Sequence, residues 1–130
     1  MIVETPPQPR KHRSHGNPEA KIQAECVTWL WNERPETRGT FIHIPNEGNR
    51  RSKMDGAVRK ALGVLSGAPD CFMFLARKGF YGLAVEFKTE TGTQSEAQKT
   101  FQVNLELNGY KYVIIRSLEA FKKTINWYLE

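Results

Sequence analysis

The chain has 130 residues, with 19 Lys and Arg against 14 Asp and Glu and a formal net charge of +5. That length suits one domain around one core, and 39% hydrophobic with 25% charged residues excludes disorder as the default state. Apolar runs stop well short of membrane-spanning length and no signal-peptide core follows the start, so a soluble, cytoplasmic protein with no membrane partner is expected. The basic balance favours a polyanionic partner.

Residues 1–16 are proline-rich and then basic, without any periodicity, and read as a flexible arm ahead of a domain spanning 17–130. Arg10, Lys11 and Arg13 in this arm suit phosphate, a partner subunit or simply solvent. Asn17-Pro18 starts a helix, with a capping residue followed by proline at the first helical position. Ile22, Cys26, Trp29 and Leu30 recur at helical spacing, which predicts one face packed on a sheet. Glu25 is expected on that apolar face, where an acid is costly unless it is paired or binds a metal.

Thr40 to Ile44 is a short β-rich run ending at Pro45. Asp55 is expected to cap a short helix through Leu62 that stops at Gly63. Arg50, Arg51, Lys53, Arg59 and Lys60 make this the most basic region, and together with Asn46 we read it as a phosphate-contacting surface in preference to a solvated charged face. His43 reads as structural. Cys26 and Cys71 sit among apolar neighbours and are expected as buried free thiols.

A strand opening at Asp70 turns at Arg77-Lys78-Gly79 into a second strand ending Val85-Glu86-Phe87-Lys88. Strand side chains alternate, so Glu86 and Lys88 share a face while Leu83, Val85 and Phe87 form the opposite, apolar one. An antiparallel pairing brings the Asp70 carboxylate towards Glu86 and Lys88. Two carboxylates at one point repel unless a cation lies between them, and hard oxygen ligands of this kind suit Mg²⁺ or Mn²⁺. Lys88 adds positive charge for a phosphoryl group. Further on, Thr93 and Glu96 read as a capping box for a helix with Ala97, Phe101 and Leu105 on its apolar stripe, stopped by Gly109. Gln98 lies beside that stripe, in reach of the same face. Tyr110 to Ile115 is a strand, and Ser117 caps a final helix carrying Leu118, Phe121, Ile125 and Leu129. The alternating helix and strand signals predict an α/β domain with a mixed central sheet flanked by helices.

Pro69-Asp70 followed by Glu86-Phe87-Lys88 resembles the PD-(D/E)xK nuclease pattern. With Pro45-Asn46-Glu47-Gly48, Gly67-Ala68-Pro69-Asp70 and Ser95-Glu96-Ala97-Gln98 in this order, the chain is similar to the VRR-NUC (virus-type replication-repair nuclease) family over roughly residues 18–130. Glu47 departs from the family's usual small residue. The resemblance implies a restriction-endonuclease-like core and a metal-dependent DNA endonuclease of the stand-alone, phage type, working in a bacterial host cell. It implies catalytic roles for Asp70, Glu86, Lys88, Gln98 and Glu25. Metal ligation would fall to Asp70, Glu86, the Phe87 carbonyl and Glu25. It further implies a homodimer acting on branched, Holliday-junction-like DNA. The competing readings are a nuclease of flaps or single strands, a non-catalytic DNA-binding module on the same fold, and an interaction protein that docks through its arm.

Overall fold

The computed structural model describes residues 17–45 and 53–130, with side chains described from Gly56 onward in the second stretch. The arm, Asn46, Glu47, Gly48, Arg50, Arg51 and the side chains of Lys53 and Asp55 lie outside the described residues. The chain forms four helices, α1 (Pro18–Glu33), α2 (Lys53–Ala61), α3 (Glu96–Leu107) and α4 (Leu118–Leu129), and one sheet, on which α1, α3 and α4 pack. Its strands are β1 (Phe41–His43), β2 (Cys71–Met73), β3 (Leu83–Phe87) and β4 (Lys111–Ile115), in the order β1-β2-β3-β4. The first two pairings are antiparallel and β3–β4 is parallel, so the sheet is mixed as predicted.

Alternation along the strands divides the sheet into two faces. Phe41, Cys71, Met73, Leu83, Val85, Phe87 and Ile115 point to one side and meet Cys26 and Leu30 of α1 and Phe121, Ile125 and Tyr128 of α4 in the main core. A β-sheet face and two amphipathic helix stripes bury one another here, which is the principal apolar contribution to stability. Both cysteines are buried free thiols, as the sequence predicts.

On the other face, Phe72 contacts Phe74 and Tyr110, with ring centroids 4.7 and 5.5 Å apart. The α3 helix covers this face only in part, since none of its residues is fully buried. β3 is buried along its whole length because strands flank it and helices cover it.

The local signals explain most boundaries. The Asn17 side chain accepts from the Glu19 amide, and Ser117 accepts from the Ala120 amide, capping α1 and α4. Lys78 and Gly79 both have positive φ, 52° and 82°, which is the backbone of a two-residue hairpin turn whose twist matches its strands. Two expectations are corrected. Helix α2 begins ahead of Asp55, so Asp55 lies inside it and does not open it. Helix α3 is capped by Ser95 and Gln98, not by Thr93 and Glu96.

Candidate active site

Continuing the β2–β3 register by one residue beyond Cys71↔Val85 sets Asp70 opposite Glu86. Facing residues in an antiparallel pair are side-chain neighbours, so the hairpin itself delivers the two acids to one place. The Asp70 carboxylate is fixed by the Phe87 amide, which donates to Oδ2 at 2.7 Å. Pro69 is buried next to it. Gly67, at φ 87°, packs so closely that a Cβ there would lie 2.5 Å from the Ala97 carbonyl carbon. The loop carrying Asp70 is thus seated on the first turn of α3.

Glu86 is 2% exposed and both of its carboxylate oxygens are held. Gln98 Nε2 donates to Oε1 at 2.8 Å, and the Tyr112 hydroxyl donates to Oε2 at 2.7 Å. Burial, with the Asp70 carboxylate adding to it, pushes Glu86 up to about 7; the Tyr112 hydroxyl and the Lys88 ammonium pull against that rise. Tyr112 in turn is pushed well above the usual phenol range by burial and by its bond to Glu86. Lys88 lies on the Glu86 side, only 8% exposed, where its backbone amide continues the pairing to the Ile115 carbonyl. No ion pair or side-chain hydrogen bond engages its ammonium among the described residues. A nearly buried ammonium close enough to Glu86 to favour its charged form is chemically equipped to meet an anion.

The donor set fits a hard divalent cation. A buried carboxylate held near neutrality beside a second carboxylate gains from a positive charge between them. One or two carboxylates, completed by water and substrate phosphate, is the usual protein contribution to a Mg²⁺ site. No cluster of three His, Cys, Asp or Glu forms among the described residues, so Asp70 and Glu86 stand as a pair without a third such ligand.

Asp70, Glu86, Lys88 and Gln98 are therefore brought together, and Phe87 contributes its amide to Asp70. Glu25 is not where the sequence places it. It is exposed, because the buried stripe of α1 runs through Cys26 and Leu30 and the helix turns Glu25 outward. The acid on the inward stripe is Glu19, half-buried, whose Oε1 approaches Gly92 in the loop after Lys88. Its spacing of seven from Cys26 is the signal that marks it. Gln23, four further along, lies 2.8 Å from His43 Nδ1, which is also 2.8 Å from the Asp70 carbonyl. Tyr112 is a second residue the sequence reading missed; its alternation with Tyr110 and its pairing with Ala84 put its hydroxyl on the Glu86 face. In the basic region, Arg59 and Lys60 lie in the last turn of α2, half-buried and exposed respectively.

The Gly92 loop is tied back by Arg116, whose Nη1 donates to the carbonyls of Thr89 at 2.6 Å and Gly92 at 2.7 Å. This clamp holds the chain immediately after Lys88.

No family model and no curated protein matches this chain. Among solved structures, a "VRR_NUC domain protein" superposes with a TM-score of 0.74 over 88% of this chain and 89% of that chain, at 24% identity. The chain has the fold of that protein, and the α/β architecture expected from the sequence is the one found. No helix among the described residues is long and apolar enough to cross a membrane.

Proposed function

We propose that this chain is a VRR-NUC-type nuclease, a metal-dependent enzyme that hydrolyses DNA phosphodiesters. The observation that carries the reading is the opposition of Asp70 and Glu86 across the β2–β3 pair, with Lys88 on the same side and Gln98 bonded to Glu86. The likeness in fold to a VRR_NUC domain protein supports it.

In this reading Asp70, Glu86 and the Phe87 carbonyl hold Mg²⁺ or Mn²⁺, while Glu25, turned outward on α1, takes no part. When bound, the cation supplies Lewis acidity to phosphodiester hydrolysis. The chain's own residues do the rest. Gln98 and Tyr112 fix the Glu86 carboxylate in one orientation, which keeps both of its oxygens available through their remaining lone pairs. The Phe87 amide does the same for Asp70. Lys88 sets a positive charge against the phosphate and orients the attacking water, an arrangement that favours the charge developing in the transition state. Arg59, Lys60 and the basic residues before them contact the phosphate backbone. The proposed substrate is branched DNA cut by a homodimer, whose two sites would serve the two strands of a symmetric junction.

Cleavage of labelled four-way junction, flap, single-strand and duplex DNA, with Mg²⁺, Mn²⁺ or EDTA, tests this function. Metal-dependent cutting of the junction is the expected result. Cutting confined to flaps or single strands would keep the chemistry and remove the junction preference; binding without cutting under either metal would leave only a DNA-binding module.

A further inference from the structure

The free edge of β4 carries a second concentration of charge that the candidate active site does not use. Trp127 of α4 is 43% exposed, unusual for an indole this close to a core. The Lys78 ammonium lies 5.3 Å and the Lys111 ammonium 5.8 Å from its ring centroid. Lys123 sits one helical turn before it and lines, with Lys111, Val113, Thr124 and Trp127, a groove of about 350 Å³. None of these three lysines enters an ion pair among the described residues; Glu119, the acid within α4 and one turn before Lys123, pairs instead with Lys122 at 3.6 Å. Like charges gathered on one ring repel one another, and a polyanion relieves that repulsion.

The hairpin turn adds an independent observation. Lys78 holds a φ of 52°, where glycine, asparagine or aspartate is the ordinary occupant. A lysine kept in that strained position presents its ammonium to Trp127. Lys111 and Val113 belong to the sheet face of α1 and α4, opposite Glu86, and Lys111 pairs with Leu83, three residues before Glu86. That is about 10 Å along the strand from the candidate active site and on the other face of the sheet.

We propose that Trp127, Lys78, Lys111 and Lys123 form a separate binding site for single-stranded nucleic acid, in which the indole stacks an unpaired base and the lysines hold the flanking phosphates. Aromatic platforms set in a cationic groove bind single strands in this way, because every base offers a π face. The lysine stems are long enough to swing from the ring to a phosphate and leave the ring to the base. The site goes beyond the nuclease reading and does not depend on it.

The test is binding of an oligo(dT) strand in EDTA, followed by tryptophan quenching and by anisotropy of a labelled strand. The full chain is compared with Trp127→Ala, Trp127→Phe and Lys78→Ala/Lys111→Ala, with folding of each checked by circular dichroism. Saturable quenching is expected, with affinity about tenfold weaker in Trp127→Ala and largely kept in Trp127→Phe. Each lysine removed should lower the slope of log affinity against log salt by about 0.7. Trp127→Ala should cut junction DNA in Mg²⁺ as the wild type does, so loss of cleavage and loss of this site are separate outcomes. Unchanged affinity in folded Trp127→Ala and Lys78→Ala/Lys111→Ala would overturn the proposal. So would equal quenching by a blunt duplex, which has no unpaired base to stack, or equal binding of polyglutamate.

Discussion

The Gln98 side chain joins the start of α3 to Glu86: its Oε1 accepts from the Ser95 amide at 2.8 Å while its Nε2 donates to Glu86 Oε1 at 2.8 Å. One amide therefore closes a helix cap and orients a buried carboxylate. Gln98→Glu would preserve the acceptor for the cap but replace the donor with a second acceptor facing Glu86. We expect that variant to keep α3 while apparent Mn²⁺ affinity changes sharply, measured by calorimetric titration. Gln98→Ala should lose both functions.

Tyr112→Phe removes the hydroxyl bonded to Glu86 Oε2 and leaves that oxygen buried without it. The expected cost is about 1–3 kcal/mol of stability. Loss of such an outer partner also typically weakens metal binding by about ten- to a hundredfold. Chemical denaturation and metal titration of the same preparation check the two effects together.

Gly67→Ala places a methyl group 2.5 Å from the Ala97 carbonyl carbon at a φ of 87°, so backbone must move. Space and conformation both oppose it, and we expect a loss of about 2 kcal/mol or more. The displaced loop would carry Asp70 away from Glu86. A fall in melting temperature together with lost metal binding is the predicted pair of results.

The raised Glu86 pKa gives the metal-free protein a pH dependence of definite sign. With the folded value near 7 and the ordinary value at 4.5, the folded state holds the proton longer than the unfolded one. Its contribution is therefore fully present below pH 4.5 and is lost as pH rises towards 7. The full drift is roughly 3 kcal/mol. Glu86→Gln cannot ionise and should flatten it, as should saturating Mg²⁺ in the wild type. Melting temperature across this pH range, with and without metal, measures it.

Both thiols should resist modification in the native protein. Burial, with Glu25 adding to it, pushes Cys26 up to about 12, and burial likewise raises Cys71. Thiol titration should find neither group reacting quickly under native conditions and both reacting once the chain is unfolded.

The parts of this molecule that were legible in the sequence are those fixed by short-range rules. Strand alternation put Glu86 and Lys88 on one face, and Lys78-Gly79 marked the turn that returns β3 against β2. Asn17 and Ser117 announced their helices by capping chemistry. What was misread depended on tertiary context. Trp29 drew the apolar stripe of α1 towards Glu25, yet Trp29 is only half-buried and the packed line runs through Cys26 and Leu30. The sequence pattern pointed to Thr93 with Glu96 as the cap, whereas Ser95 caps α3 because Gln98, three residues on, closes the box and bonds Glu86 as well. Tyr112 looked like an ordinary strand aromatic until β4 aligned in parallel with β3 and set its hydroxyl against Glu86.

Whether Asp70, Glu86 and Lys88 form a metal-dependent nuclease site is decided by single-turnover cleavage of a labelled four-way junction by wild type, Asp70→Asn and Lys88→Ala, in Mg²⁺ and in EDTA. Cutting by the wild type in Mg²⁺ alone is expected, with both variants folded, still able to bind the DNA, and slowed by at least about a hundredfold. Wild-type rates in folded Asp70→Asn, or cutting that persists undiminished in EDTA, would contradict it.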